Sequence, residues 1–387
     1  MKNTTTWVEI SKSFLSNNIK EFKKIISPNT LLSVCVKSNA YGHGLVETSK
    51  IFIDAGADFL DVNSVYEARS LRQAGIKNPI YVMGYVLESE LEEVVDLDLH
   101  IVVYNEKTVS ELARISEKKS KTAKIHIKIE TGNNRQGIRL ESLASFASFI
   151  SQFKSIKVEG IATHFANIED TTDHSFAMSQ VSKFKKADSI LKENGITAPI
   201  RHCANSAATI LFPETHFEMV RIGISAYGMW PSNETLVSYK STGKKDSDFS
   251  ITPALCWKSI VAQVKTVPKG EYIGYGCTCR PPRDTIMAII PVGYYDGYDR
   301  GLSNNGHVLI HGQRAKILGR ICMNIMMVDI TDIPDVLVED EVVLIGNQKF
   351  GDFYDNISPE QFSSWISSIN YEVISRINER IPRFYEK

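Results

Sequence analysis

Lys37 stands at the end of an apolar run, Leu31–Val36, and is followed at once by Ser38, Asn39, Ala40, Tyr41, Gly42, His43 and Gly44. A lysine at a strand end is normally a solvated surface residue. Here it shares one short loop with a phenol, an amide, an imidazole and two glycines. A lysine whose surroundings favour the neutral amine becomes a nucleophile toward an aldehyde and forms a Schiff base. Other groups with chemical potential also close apolar runs: His164 after Gly160, His202 and Asn205-Ser206 after Ile200, Arg221 within Met219–Ile224, and Gly223-Ile224 just beyond it. Asn and Ser in such a place read first as a helix cap. The same end of a helix offers backbone N–H groups to an anion, so a cap and a phosphate site are compatible. Arg221 reads by itself as an ion-pair residue, and the two histidines as structural hydrogen bonders.

The elements that must position these groups are short and regular. Eight apolar runs, Leu31–Val36, Phe59–Val62, Ile80–Met83, Ile101–Tyr104, Ile125–Ile129, Gly160–His164, Ile200–Cys203 and Met219–Ile224, alternate with helical patterns. In the first of these, Leu15, Ile19, Phe22 and Ile26 recur at spacings of three and four and fall on one face. Gly56 and Gly75 sit where a left-handed residue ends a helix at little cost. Eight alternations predict an α/β fold, a (β/α)8 barrel, rather than a doubly wound sheet, and no G-x-G-x-x-G follows the first run. In such a barrel the residues just past the C-terminal strand ends meet on one face, which is where active sites form.

Beyond Pro231 the pattern changes. Residues 232–250 are polar and read as a linker, and from Ala254 the chain reads as β: Ser259–Val267, Thr285–Val292, His307–Ile310, Lys316–Ile321, Met326–Ile330 and Glu341–Ile345, with a late helix from Pro359 to about Ser368. The expected organisation is a barrel domain over 11–240 followed by a mainly β C-terminal domain over 241–387 that takes in residues 1–10, with Thr6–Ile10 as a strand of the distant domain. Within H-I-K-I-E, strand alternation sends Ile125, Ile127 and Ile129 one way and His126, Lys128 and Glu130 the other, so Lys128 points into the barrel. An unpaired ammonium there is costly. An ion pair with Glu130 or another carboxylate is the ordinary solution.

Composition narrows the partners. The 387 residues are 43% hydrophobic, and 44 basic residues against 45 acidic ones leave a net charge of -1. No overall field recruits nucleic acid or acidic lipid. No stretch approaches the roughly 20 apolar residues of a membrane span, and the opening MKNTTTW has no apolar run after its lysine, so a cytoplasmic protein is expected. The six cysteines are too sparse for a disulfide scaffold, and the Cys277-Thr278-Cys279 pair lacks the partners of a zinc site, so no metal is expected. A small molecule is the expected partner.

The segment V-K-S-N-A-Y-G-H-G resembles the cofactor-lysine motif of the alanine racemases, and the resemblance runs over essentially the whole chain. It returns at H-C-A-N-S-A-A, R-I-G-I-S-A-Y-G, G-Y-G-C-T-C, P-V-G-Y-Y-D-G-Y, G-R-I-C-M-N and I-N-Y-E-V. The resemblance implies pyridoxal 5'-phosphate (PLP) on Lys37 and an isomerase acting on alanine, which supplies D-alanine for the cell wall. It implies phosphate contacts from Tyr41, Ser206, Tyr371 and the backbone of Gly223 and Ile224, with Asn205 and His164 among the cofactor-binding residues. Arg221 would face the pyridine nitrogen, and because guanidinium keeps its protons that nitrogen would stay unprotonated. A restrained carbanion then favours reprotonation over transamination. His164 and His202 would orient Arg221 and the catalytic tyrosine. Arg135 resembles the arginine that grips the substrate carboxylate as a planar fork, and Lys128 the lysine that is carbamylated to pair with it. Tyr275, set between two glycines, resembles the second catalytic base beside Lys37. A tyrosine hydroxyl ionises far above neutrality and needs help for that task. The family further implies a head-to-tail homodimer in which Tyr275 and Met323 enter the partner's barrel. Asn133-Asn134, Cys279 and Asn324 depart from the common pattern, which bears on gating and preference. A serine or broad-specificity racemase, a decarboxylase of the same architecture and a PLP-handling protein without catalysis remain alternatives at this level.

Overall fold

A computed structural model describes residues 3–386, and the chain divides into two compact units, one of Ser13–Ala40 with Leu45–Pro253, the other of Met1–Lys12, Tyr41–Gly44 and Ala254–Lys387. The first unit is the expected barrel. Its strands are β2 (Leu31–Cys35), β3 (Phe59–Val62), β4 (Ile80–Val82), β5 (His100–Val103), β6 (Ala123–Lys128), β7 (Ile156–Ala162), β8 (Ile200–His202) and β9 (Met219–Ile222), following β1 (Thr6–Ser11). Neighbours from β2 to β8 pair in parallel, and β9 pairs with the other edge of β2. The ring is completed where the backbone N–H of Arg221 donates to the carbonyl of Ala204, just past β8, at 2.9 Å. Both faces of β6 are buried, as a parallel sheet covered by helices requires.

The outer helices form for the reasons their spacing suggests. Lys12–Ile25 buries Leu15, Asn18, Ile19 and Phe22 along one stripe. Val65–Gln73 starts with a complete capping box between Ser64 and Glu67, and Gly75 beyond its end is left-handed at φ +84°. The polar stretch read as a linker instead contains a helix, Asn233–Ser241, whose Ser232 cap accepts from the Thr235 N–H at 3.0 Å. Its tail stays with the barrel because Asn18 binds both backbone groups of Thr252, at 3.0 and 2.9 Å.

Inside the barrel one irregularity matters. The register of β6 on β7 slips so that Ile125 pairs with Val158 but His126 pairs with Gly160. Glu159 is therefore a bulge residue, and it re-aims the rest of β7. Gly160 faces the His126 ring so closely that a Cβ would lie 2.4 Å from Nδ1. Any other residue here would displace the imidazole.

The second unit is mainly β. β10 (Leu255–Ile260), β13 (His307–Ile310), β14 (Gln313–Lys316), β16 (Glu341–Phe350) and β18 (Arg383–Glu386) join β1 in a sheet ordered β14-β13-β16-β10-β1-β18, with β17 (Phe353–Ile357) paired to β16. β11 (Gln263–Val267), β12 (Thr285–Ile290) and β15 (Met326–Asp329) make a three-stranded sheet. The single strand expected over 259–267 is thus two strands in two sheets. The chain changes sheets at Val261, whose N–H donates to Asp340 O at 2.9 Å, and Ala262, whose N–H donates to Ile289 O at 2.8 Å. Of the strand expected over 316–321 only Lys316 lies in a strand, as the last residue of β14, and Gly319 turns at φ +72°. The late helix ends at Trp365, short of the expected Ser368, and a separate helix, Asn370–Ser375, follows it. Trp257, Tyr298 and Phe362 are buried in edge contact at 5.8 and 5.2 Å and form an aromatic core. No helix among the described residues is long and apolar enough to cross a membrane.

Candidate active site

The C-terminal ends of β8, β9 and β2 are adjacent, so Ser206, Gly223 with Ile224, and Lys37 stand on neighbouring loops of one barrel face. Lys37 opens an unusual turn. Ser38, Asn39, Ala40 and Tyr41 all have positive φ, 56°, 55°, 52° and 51°, which is one turn of left-handed helix built without glycine. Such a conformation costs about 1–2 kcal/mol per residue for most side chains, less for Asn. It persists because its groups are tied down within the barrel unit. Ser38 N–H donates to Glu67 Oε1 at 2.6 Å, Leu45 N–H to Asn39 Oδ1 at 2.9 Å and Ala40 N–H to Val36 O at 2.9 Å, while the Ala40 methyl is fully buried. Strain of this kind concentrates at functional loops.

Arg221 lies inside the barrel with its guanidinium held at two points. Nη1 is 2.8 Å from His202 Nδ1 and Nη2 donates to the Thr163 carbonyl at 3.0 Å. His202 thus contacts Arg221 directly. His164 is near enough to feel Lys128, Arg221, Arg135 and Lys37, but the second bond to Arg221 comes from the preceding carbonyl. Burial first, then those four cations, hold the His164 imidazole neutral, well below the ordinary histidine range. Lys128 points inward as alternation required. Burial, followed by Arg221 and Arg135, drives its ammonium far down, against a smaller pull from Glu130. Arg135 itself is exposed on the loop after β6, where Asn134 is left-handed at φ 54°.

The loops after β8 and β9 are joined directly, since Gly223 N–H donates to Ser206 Oγ at 2.9 Å. That leaves the Ser206 hydroxyl proton for another acceptor. Asn205 uses its amide on the protein: Oδ1 caps the helix Ser206–Leu211 through Ala208 N–H at 3.0 Å, and Nδ2 donates to Glu169 Oε1 at 2.6 Å. Ser225 Oγ, two residues past Gly223, is buried and has no hydrogen-bond partner among the described residues. An orphaned hydroxyl beside a free serine proton suits a phosphate, and the donor-only Arg221 suits a ring nitrogen acceptor. On these observations the residues fit PLP.

In the other unit, Tyr41 and Tyr371 come together with ring centroids 6.2 Å apart. Tyr275 sits on a turn between Gly274 and Gly276, both at positive φ, where a Cβ would meet Met327 Cε at 2.8 Å and Arg320 Nη1 at 2.7 Å respectively. Tyr275 projects outward, 71% exposed, and Met323 is 54% exposed. The Met323 segment is fixed by Tyr295 N–H, which donates to Met323 O at 2.9 Å, and Asn324 Nδ2 donates to Asp296 Oδ2 at 3.2 Å. Asn324 therefore has a structural partner.

Sequence reasoning passed over Asp61. It lies fully buried in β3, with Oδ1 accepting from Ser33 Oγ at 2.6 Å and Oδ2 unpartnered among the described residues. Desolvation lifts its carboxyl to about 6, against the opposing pull of Arg221, the Ser33 hydroxyl and Lys37. A single Asp inside F-L-D-V carries no signal that separates it from a surface strand residue.

Comparison with known proteins agrees over the full length. The family model for the alanine racemase N-terminal domain matches residues 10–231, and that for the alanine racemase C-terminal domain matches residues 254–385. An alanine racemase of Leptospira interrogans is 42% identical over 384 residues, covering 99% of this chain and 96% of that protein. The crystal structure of alanine racemase from Bacillus anthracis with bound L-Ala-P superposes with a TM-score of 0.91 at 34% identity, over 100% of this chain and 96% of that one. The alanine racemase of Bartonella henselae with covalently bound pyridoxal phosphate superposes with a TM-score of 0.85 at 26% identity, over 99% and 100%.

The buried Asp61 gives a pH signature. Its folded value, about 6, exceeds the ordinary 3.8, so folding takes up a proton between them. The stability contributed by the neutral acid is whole below the lower value and is lost as pH rises through the upper one. The loss is roughly 3 kcal/mol. Asp61→Asn keeps the Ser33 contact without the ionisation, so its unfolding free energy in the cofactor-free protein should be flatter than wild type across this window. Parallel urea-melt profiles for the two proteins would contradict the assignment.

Proposed function

The chain belongs to the alanine racemase family, and from that premise we propose that it is a PLP-dependent enzyme interconverting L-alanine and D-alanine. The observation that carries the reading is Arg221, a donor-only cation buried at the floor of a site that opens at Lys37. When bound, the cofactor supplies an electron sink that acidifies the α-proton of the amino acid.

Lys37 is the covalent anchor, and the left-handed turn that follows it fixes where its amine emerges. With the cofactor bound, Arg221 would donate to the ring nitrogen, which would stay unprotonated because guanidinium keeps its protons. Ser206 and the backbone of Gly223 and Ile224 would hold the phosphate, with Asn205 fixing the loop from which Ser206 donates, and Tyr41 and Tyr371 are the further contacts that the family resemblance implies. His164, kept neutral by burial first and then by the cations around it, would line the cofactor site. Arg135 binds the substrate carboxylate. Lys37 Nζ and Tyr275 Oη exchange the α-proton from opposite faces, Lys37 on the D-isomer's face and Tyr275 on the L-isomer's. The exposure of Tyr275 and Met323 suits a homodimer in which these two residues complete the barrel site of a second copy. The protein works in the cytoplasm.

Lys128 is carbamylated in this reading. Its burial keeps the amine neutral and hence able to attack carbon dioxide, forming the N–C bond with loss of one amine proton, and the resulting anion faces Arg221 and Arg135.

Three measurements test the proposal. Purified protein with PLP should racemise L-alanine in D2O, and the first D-alanine formed should carry solvent deuterium, since a second base delivers an exchanged proton. L-serine run in parallel defines the range. Tyr275→Phe keeps most of the ring packing and should bind PLP while losing about 10²–10⁴-fold in kcat. Retention of the original α-hydrogen in early product, or wild-type turnover by the variant, removes Tyr275 from its role. For Lys128, protein equilibrated with 13C-bicarbonate should show a carbamate carbonyl resonance that disappears in Lys128→Met. Its absence from the wild type leaves the residue a plain amine.

A further inference from the structure

The barrel floor holds a chain of polar contacts that the proton-transfer steps do not use. Beyond Arg221 and His202, His202 Nε2 lies 2.8 Å from His126 Nδ1, and His126 Nε2 lies 3.0 Å from His100 Nδ1. All three rings are buried, at 0%, 0% and 5% exposure from His202 to His100. We infer that His126 and His100 are positioning residues: with His202 they form a one-way hydrogen-bond relay that fixes the His202 imidazole as an acceptor and so holds Arg221 in place toward the ring nitrogen of PLP. The inference rests on the role proposed for Arg221.

The direction comes from donor chemistry. A guanidinium has no acceptor, so His202 Nδ1 must present its lone pair to Nη1. A neutral imidazole has one N–H, which His202 then carries on Nε2 and donates to His126 Nδ1. By the same logic His126 carries its proton on Nε2 and donates to His100 Nδ1. One cation thereby dictates three tautomers. Aligned hydrogen bonds polarise one another, so the acceptor facing Arg221 is stronger than a lone imidazole. A protonated ring would present two donors and break one junction. Burial, first among the causes, keeps all three rings neutral, helped for His126 and His202 by Arg221; His100 lies at about 4, with Lys124 and Lys157 lowering it and Glu159 and Asp98 opposing.

The fold is shaped around this relay. His126 reaches from β6 to β8 past β7, and the way is open because the Glu159 bulge brings glycine to the pairing position. Tyr81 packs against both His126 and His202, with centroids at 4.7 and 5.5 Å, and Phe59 meets His100 edge-on at 5.3 Å. Ring orientation is therefore set by packing as well as by hydrogen bonds.

The test uses 15N-histidine-labelled full-length protein, with and without PLP. Long-range 1H–15N spectra of the wild type should show all three rings as Nε2–H tautomers from about pH 6 to about pH 9. His126→Phe keeps an aromatic ring against Tyr81 but removes both nitrogens. His202 should then populate both tautomers, and PLP affinity should fall about ten-fold, the usual scale for a group that orients a ligand-binding residue. His126→Gln should recover most of that affinity, because its carbonyl accepts from His202 and its amide donates to His100. A wild-type ring protonated on Nδ1 overturns the relay, and that spectrum decides the matter even if His126→Phe does not fold. Undiminished PLP binding by His126→Phe, or a Gln variant no tighter than the Phe variant, overturns it as well. Failure of the underlying assignment is distinguishable: Arg221→Lys would then bind PLP and racemise normally, whatever the histidine tautomers.

Discussion

Arg221 is a cation that cannot lose its proton, enclosed in a barrel where its hydrogen bonds among the described residues go to an imidazole and a carbonyl and none to a carboxylate. Burying such a charge is unfavourable unless its donors are satisfied. The interior of the barrel is arranged accordingly. His202 must accept, His126 must accept in turn, and β7 must present glycine where the His126 ring lies. The buried carboxyl of Asp61 feels Arg221 but does not bond it, and its own desolvation dominates. The guanidinium thus keeps its charge and its donor capacity for the ligand. A carboxylate partner would neutralise it.

The second constraint is the backbone around Lys37. Four consecutive left-handed residues without glycine are costly, and hydrogen bonds accepted by Asn39 Oδ1, Glu67 Oε1 and Val36 O hold them. The turn fixes the point from which the lysine amine leaves the strand end. Catalysis by positioned groups is sensitive to displacements of about 1 Å, which gives this strain a use. The floor and the rim of the site are built by opposite means: satisfied polar contacts below, enforced backbone strain above.

Much of this was legible in the sequence. Eight apolar runs alternating with helical patterns specify the barrel, and they put Lys37, Arg221 and Lys128 at or within strands and Ser206 shortly past one, while the roles proposed for these residues came from the family resemblance. The inward direction of Lys128 needed only the period of a strand. The relay was not legible, since His126 within I-H-I-K looks like any core histidine until the bulge at Glu159 is known, and a bulge leaves no mark in hydrophobic alternation. The left-handed turn was hidden because Ser-Asn-Ala-Tyr has no residue that demands positive φ. The helix Asn233–Ser241 read as linker because its composition is polar, and it is its capping and two buried positions that order it. The sheet change at Val261 is fixed by partners at Asp340 and Ile289, far away in the chain.

A buried Arg221 that hydrogen-bonds no carboxylate among the described residues would keep the cofactor's ring nitrogen a hydrogen-bond acceptor, which would restrain the carbanion and favour racemisation. The most direct measurement is the 15N spectrum of the holoenzyme reconstituted with PLP labelled at the pyridine nitrogen. The expected resonance is that of an unprotonated, hydrogen-bonded pyridine. A pyridinium resonance at neutral pH would contradict the claim.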